Sequence, residues 1–216
     1  MTNMNPQSVW NALKEGNQRF VEERAEHPNI DQTRRVSLVT GQDPKVVVLS
    51  CSDSRVPVEL VFDMGLGDAF VIRTAGHIVD NTVLGSLDYA LENLGCNLIV
   101  IMGHQSCGAI GATAEFVDGD MQIPSGFQRS IIEKVAMSTL RAQKEGKREH
   151  ADYERQNVID TVRQILARMP DLNQRIIQGE LGVVGTRYLL DESRIEPVIL
   201  HGVVSVSYTH LRAHET

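Results

Sequence analysis

The chain has few cysteines, three in 216 residues. That is too few for a disulfide framework, so for an intracellular chain of this size metal binding or catalysis is the better use of the thiols. Aromatic residues make up 5%, with a single tryptophan. Positive charge is in the minority: 21 Lys plus Arg face 28 Asp plus Glu, a net charge of −7. This balance argues against a general nucleic-acid binder. No apolar run approaches the roughly 20 residues that span a bilayer. The N-terminus has no basic region followed by an apolar stretch, so we expect no signal peptide, no membrane association and a cytoplasmic location. Internal repeats and low-complexity tracts are also missing. What is present, including a hydrophobic fraction of 42%, suffices for one soluble domain with a sizeable core.

Two short apolar runs end in chemistry. Val46-Val47-Val48-Leu49 leads into Cys51-Ser52-Asp53-Ser54-Arg55, and Leu98-Ile99-Val100-Ile101-Met102 leads into Gly103-His104-Gln105-Ser106-Cys107. Short β-branched runs bounded by Gly and Ser read as buried parallel strands. Open α/β sheets place their sites at the carboxyl ends of such strands. Cys51, His104 and Cys107 are then three ligands for a tetrahedral zinc whose fourth position stays open for water or substrate. Asp53, two residues from a ligand, is placed to occupy or guard that position. Arg55 is placed to hold Asp53 by a two-pronged ion pair. The bland alternative is two buried cysteines and a hydrogen-bonded core histidine.

The rest of the chain fits an α/β fold: a mostly parallel sheet of four strands plus an antiparallel edge strand, flanked by helices. Strands are expected at 45–50, 69–73, about 98–104, 181–190 and, at the edge, 197–204. Helices are expected at 6–24, 82–93, 106–116, 127–141, 153–169 and 172–178, with short helical pieces near 36–40 and 56–62; apolar stripes at helical spacing mark 6–24, 82–93 and 153–169. Trp10 on the first stripe suits either an interface anchor or the chain's own core. Cys107, near a helix start, gains from the helix dipole, which favours thiolate. Cys96 has no ligand-spaced partner and reads as structural. The charge run from Lys144 to Glu154 reads as solvated surface.

Taken together, C-S-D-S-R at 51–55, the segment from Gly65 to Gly76, and G-H-x-x-C-G at 103–108 resemble the β-class carbonic anhydrases. The actinobacterial members are especially similar. The resemblance runs from about Pro6 to about Val203. It implies a carbonate dehydratase with one zinc per chain, hydrating carbon dioxide reversibly to bicarbonate and a proton by zinc-bound hydroxide. It implies catalytic roles for Asp53 and Arg55, with Asp53 on the metal only in a closed form. It further implies that Gln42, Phe70 and Gly108 contact substrate, with Gln42 serving the neighbouring subunit's site. Arg73 matches a family arginine beside the site or the dimer interface, and His77 is a candidate proton relay. The N-terminal arm helix would reach across a homodimer, possibly paired into a tetramer. Two other readings stay open: a carbon disulfide or carbonyl sulfide hydrolase on the same scaffold, and a non-catalytic zinc-stabilised module. Residues 205–216 resemble a translated sequencing adapter. That leaves 1–204 as a single domain and excludes His210 and His214 from site reasoning.

Overall fold

The computed structural model describes residues 4–205. Residues 1–3 and 206–216 lie outside the described residues, and with them nearly all of the adapter-like tail. The elements are, in order, α1 (Pro6–Val21), α2 (Gln32–Ser37), β1 (Val46–Cys51), α3 (Val58–Val61), β2 (Ala69–Thr74), α4 (Asn81–Glu92), β3 (Leu98–His104), α5 (Gly108–Asp118), α6 (Gln128–Lys144), α7 (His150–Arg168), α8 (Asp171–Ile177), β4 (Gly182–Leu189) and β5 (Arg194–His201). A short 3-10 turn at Ala75–His77 follows β2. The sheet order is β2-β1-β3-β4-β5. The first four strands are parallel and β5 is antiparallel at the edge, as the sequence pattern predicts. Pro197 lies within β5, where an edge strand tolerates a missing donor.

β1 and β3 are buried at every position, and their two-residue period splits the core. Val46, Val48, Leu98, Val100 and Met102 face a cluster that includes Val9, Trp10 and Leu13 of α1. Val47, Leu49, Ile99 and Ile101 face the opposite cluster, with Leu87 of α4 and Val158, Val162 and Ile165 of α7. A run apolar at every residue is what two covered faces require. A third cluster, with Cys51, Cys107, Ile110, Val135 and Tyr153, caps the carboxyl end of the sheet.

α1 ends at Val21, three residues short of the expected 24, because Glu23 takes the left-handed backbone conformation with φ 55°. Asn5 caps its start by accepting from the Ser8 amide at 2.8 Å. Trp10 is fully buried among its own chain's residues, so it serves the core and is unavailable as an anchor on a partner. Gly16 packs α1 against the end of α3: a Cβ there would sit 2.0 Å from the carbonyl oxygen of Phe62, the residue that caps the end of α3. Gly16→Ala should therefore cost on the order of 1–3 kcal/mol by overpacking, read as a lower midpoint in denaturant with unchanged slope; an unaltered midpoint would contradict this packing.

The charge run is where the structure departs furthest from expectation. α7 begins at His150 and not at 153, and Glu154 is fully buried. A charge that reads locally as solvated turns inward because Arg187 on β4, itself nearly buried, meets it. Among the described residues, no helix is long and apolar enough to cross a membrane.

Candidate metal centre

Cys51 is the last residue of β1, His104 the last of β3, and Cys107 the N-cap of α5. Parallel pairing of β1 with β3 brings the strand ends together, and the tight Gln105-Ser106 turn, with Ser106 at φ 56°, swings Cys107 back beside them. The three ligand atoms lie within 4.8 Å of one another, and all three residues are buried.

Two observations show that a metal suits this set. His104 Nδ1 is 3.0 Å from the Gln105 carbonyl oxygen. That contact places the proton on Nδ1 and leaves Nε2 with its lone pair free, as a metal-binding imidazole requires. Nε2 is buried without a hydrogen-bond partner, a costly arrangement unless a cation accepts the lone pair. The sulfurs give the second observation. Hydrogen bonding from Cys107 pulls the Cys51 thiol well below the usual range, while that contact, together with burial, pushes Cys107 up. A bare pair shares one proton; a dication between the sulfurs lets both ionise.

The loop after β1 is pinned from two sides. Asp53 accepts from Arg55 Nε at 2.9 Å, from Arg55 Nη2 at 2.8 Å and from the Arg55 amide at 2.9 Å. These bonds, the side-chain one foremost, hold its carboxyl well below the usual carboxylate range. Arg55 Nη2 also reaches the Ser106 carbonyl at 3.1 Å, tying the first ligand loop to the second. Asp53 Oδ2 is 3.9 Å from His104 Nε2, beside the ligand set but turned toward Arg55. Arg73 donates to the carbonyls of Cys51 and Asp53 at 3.0 and 2.7 Å. It therefore holds the loop backbone. The Gly76 amide donates to Cys51 Sγ at 3.3 Å. Gly76 needs its missing side chain, since its φ is 64°.

The other expected site residues divide. Gly108 opens α5, where an amide has no helical acceptor. A Cβ on Gly108 would meet nothing within 4 Å, so packing inside this chain does not demand glycine. Gln42 is exposed on a surface depression of about 670 Å³ with Leu38, Val39, Leu66 and Gly67. Phe70 packs against Tyr89, ring centroids 6.0 Å apart. Its strand reaches the level of Cys51 only at Thr74, four residues or about 13 Å further on. The structure thus does not bring Gln42 or Phe70 to their own chain's metal ligands. His77 is fully buried, its Nε2 3.0 Å from Asn157 Nδ2, and burial lowers its pKa to about 4. Cys96 is buried apart from the site, and burial pushes its thiol up to about 12. Reasoning from sequence missed Glu154, Asn157 and Arg187 near the ligands; nothing local distinguishes them from other polar residues of an amphipathic helix and a strand.

Comparison with known proteins agrees with this geometry. Residues 46–195 match the family model described as carbonic anhydrase. Carbonic anhydrase 2 of Mycobacterium tuberculosis is 44% identical over 194 residues, covering 90% of this chain and 93% of that protein. The carbonic anhydrase of Mycolicibacterium smegmatis is 46% identical over 196 residues, covering 91% and 95%. Among solved structures, the Coccomyxa β-carbonic anhydrase in complex with acetazolamide aligns with a TM-score of 0.67 at 25% identity, covering 86% of this chain and 84% of that one. With these relatives and a buried Cys-His-Cys cluster suited to one zinc ion, the chain belongs to the β-class carbonic anhydrases, zinc-dependent enzymes that hydrate carbon dioxide to bicarbonate.

Proposed function

We propose the following division of labour for the hydration of carbon dioxide by this enzyme. Cys51, His104 and Cys107 hold the zinc. When bound, zinc supplies Lewis acidity that brings the pKa of a water to about 7, and so a nucleophile at neutral pH. Asp53 Oδ2 accepts a hydrogen bond from the attacking water and turns its lone pair toward the carbon. Arg55 keeps Asp53 in that posture and off the metal, leaving the closed form to arise only when that pair is broken. The Gly108 amide, at the positive end of α5, donates to the substrate oxygen on which charge grows. The observation that carries this reading is the two-pronged hold of Arg55 on Asp53 beside the unpartnered His104 Nε2.

Gln42 and Phe70 complete the site of a second copy. Both lie away from their own ligands, and Gln42 shares its depression with the exposed apolar residues Val39 and Leu66. A patch of this kind suits a protein partner, and a two-fold dimer would exchange it between protomers. Pairing of dimers into a tetramer is compatible with this arrangement. Three free, buried thiols, two of them ligands, suit a reducing compartment such as the cytoplasm.

Complementation tests the shared site. Gln42→Ala alone should retain zinc and lose at least about tenfold in activity; Cys107→Ala alone should be inert. Co-expressed, they form mixed dimers in which the intact zinc site receives Gln42 from its inert partner, and activity should recover toward half of wild type. No recovery in mixed dimers verified by mass would refute the exchange.

A further inference from the structure

Both sulfur ligands are braced from one helix by residues three apart. Glu154 of α7 is fully buried. Its Oε1 accepts from the Cys107 backbone amide at 3.3 Å and lies 2.6 Å from His150 Nδ1, while Oε2 accepts from Arg187 Nε at 2.5 Å. Asn157, one turn on, is buried as well. Its Nδ2 donates to the Gly76 carbonyl at 3.2 Å, and the Gly76 amide donates to Cys51 Sγ at 3.3 Å. Residues at i and i+3 share a helix face, so one face of α7 reaches the surroundings of both thiolates.

Stability alone does not account for a carboxylate here. A buried ion pair is often matched or bettered by apolar residues of the same volume. What an apolar residue cannot do is accept the Cys107 amide. That amide is an orphan donor at the start of α5, and Cys107, as N-cap, makes no side-chain cap bond. Fixing it fixes the backbone from which Sγ projects. Arg187 and His150 hold the carboxylate in place, and Arg187 is itself held by Glu196, which also binds Arg155. We infer that Glu154 and Asn157 are positioning residues for the two thiolate ligands, Glu154 by fixing the Cys107 amide and Asn157 by fixing the carbonyl of Gly76, the residue whose own N–H points at Cys51 Sγ. This rests on the reading that Cys51 and Cys107 hold the zinc. Outer partners of metal ligands commonly account for 10- to 100-fold in metal affinity.

Two double variants separate positioning from mere structure. Glu154→Gln with Arg187→Met keeps an acceptor for the Cys107 amide and removes the buried charge. Glu154→Met with Arg187→Met removes the acceptor at similar volume. Zinc release from each holoenzyme into a chromogenic chelator is the readout, with circular dichroism reporting the fold. The Gln variant should release zinc within about threefold of wild type and the Met variant at least tenfold faster. Equal rates from the two would overturn the role of Glu154. If the Met variant does not fold, the Gln variant decides alone: release more than tenfold faster than wild type would overturn it. For Asn157→Leu, the thiolate-to-cobalt charge-transfer band of the cobalt-substituted enzyme should move to lower energy as the hydrogen bond to Cys51 Sγ weakens. An unchanged band would overturn that half. Failure of the ligand assignment itself would show differently, as full zinc occupancy in Cys107→Ala.

Discussion

Cys107→Ala should abolish zinc binding and hydration together. Zinc by elemental analysis is expected below about a tenth of an ion per chain, and stopped-flow hydration is expected to fall at least about 10³-fold, toward the uncatalysed rate. Two ligands plus water do not hold zinc well, because coordination energy and the ionised state of each ligand depend on one another. With Cys107 gone, His104 Nε2 and Cys51 are left facing each other in a buried site. The loss should not come from unfolding. Cys107 gives α5 no side-chain cap bond, so alanine removes none, and the change in buried volume is small. Far-ultraviolet dichroism should match wild type. Full zinc occupancy in this variant would refute the ligand set.

Arg55→Ala should lower kcat/KM by about 10²-fold, mainly through kcat, while leaving zinc content intact. The substitution removes both side-chain prongs on Asp53 and the tether to Ser106. Only the backbone amide at 2.9 Å would still hold the carboxylate. Freed, Asp53, whose Oδ2 lies 3.9 Å from His104 Nε2, would be able to join the residues that hold a zinc ion and so compete with water for it. Stability should hardly change, because the Arg55 side chain is 52% exposed and an exposed ion pair contributes little to folding. Arg55→Lys should recover only part of the activity, since an ammonium lacks the planar fork. Unimpaired hydration by Arg55→Ala, or a melting temperature that falls in step with activity, would contradict this role.

Two of the three candidate metal ligands, Cys51 and His104, were legible because each ends a strand built on an apolar run, and a strand buried on both faces announces itself in sequence; Cys107 was legible from its spacing after His104. β1, β3 and the residues at their ends could be read from that pattern alone. Element boundaries were less legible: α1 stops at Val21 because of a backbone turn at Glu23, which residue type does not signal. Gln42 and Phe70 came only from family resemblance, and the single chain leaves both away from its own candidate ligands, so one chain's packing gives no local signal for either. Trp10 was ambiguous on its stripe, and the fold resolved it as core. Glu154 was misread for a physical reason. Its partner Arg187 lies 33 residues away on β4, and a carboxylate's burial depends on such distant partners, not on its neighbours Tyr153 and Arg155.

The most direct test is stopped-flow hydration of carbon dioxide by protein stripped of metal and then titrated with zinc. Activity should be at background in the stripped protein and rise linearly to a plateau at one zinc per chain, with no such rise in Cys107→Ala. Hydration by the metal-free protein, or a plateau reached without stoichiometric zinc, would contradict the account.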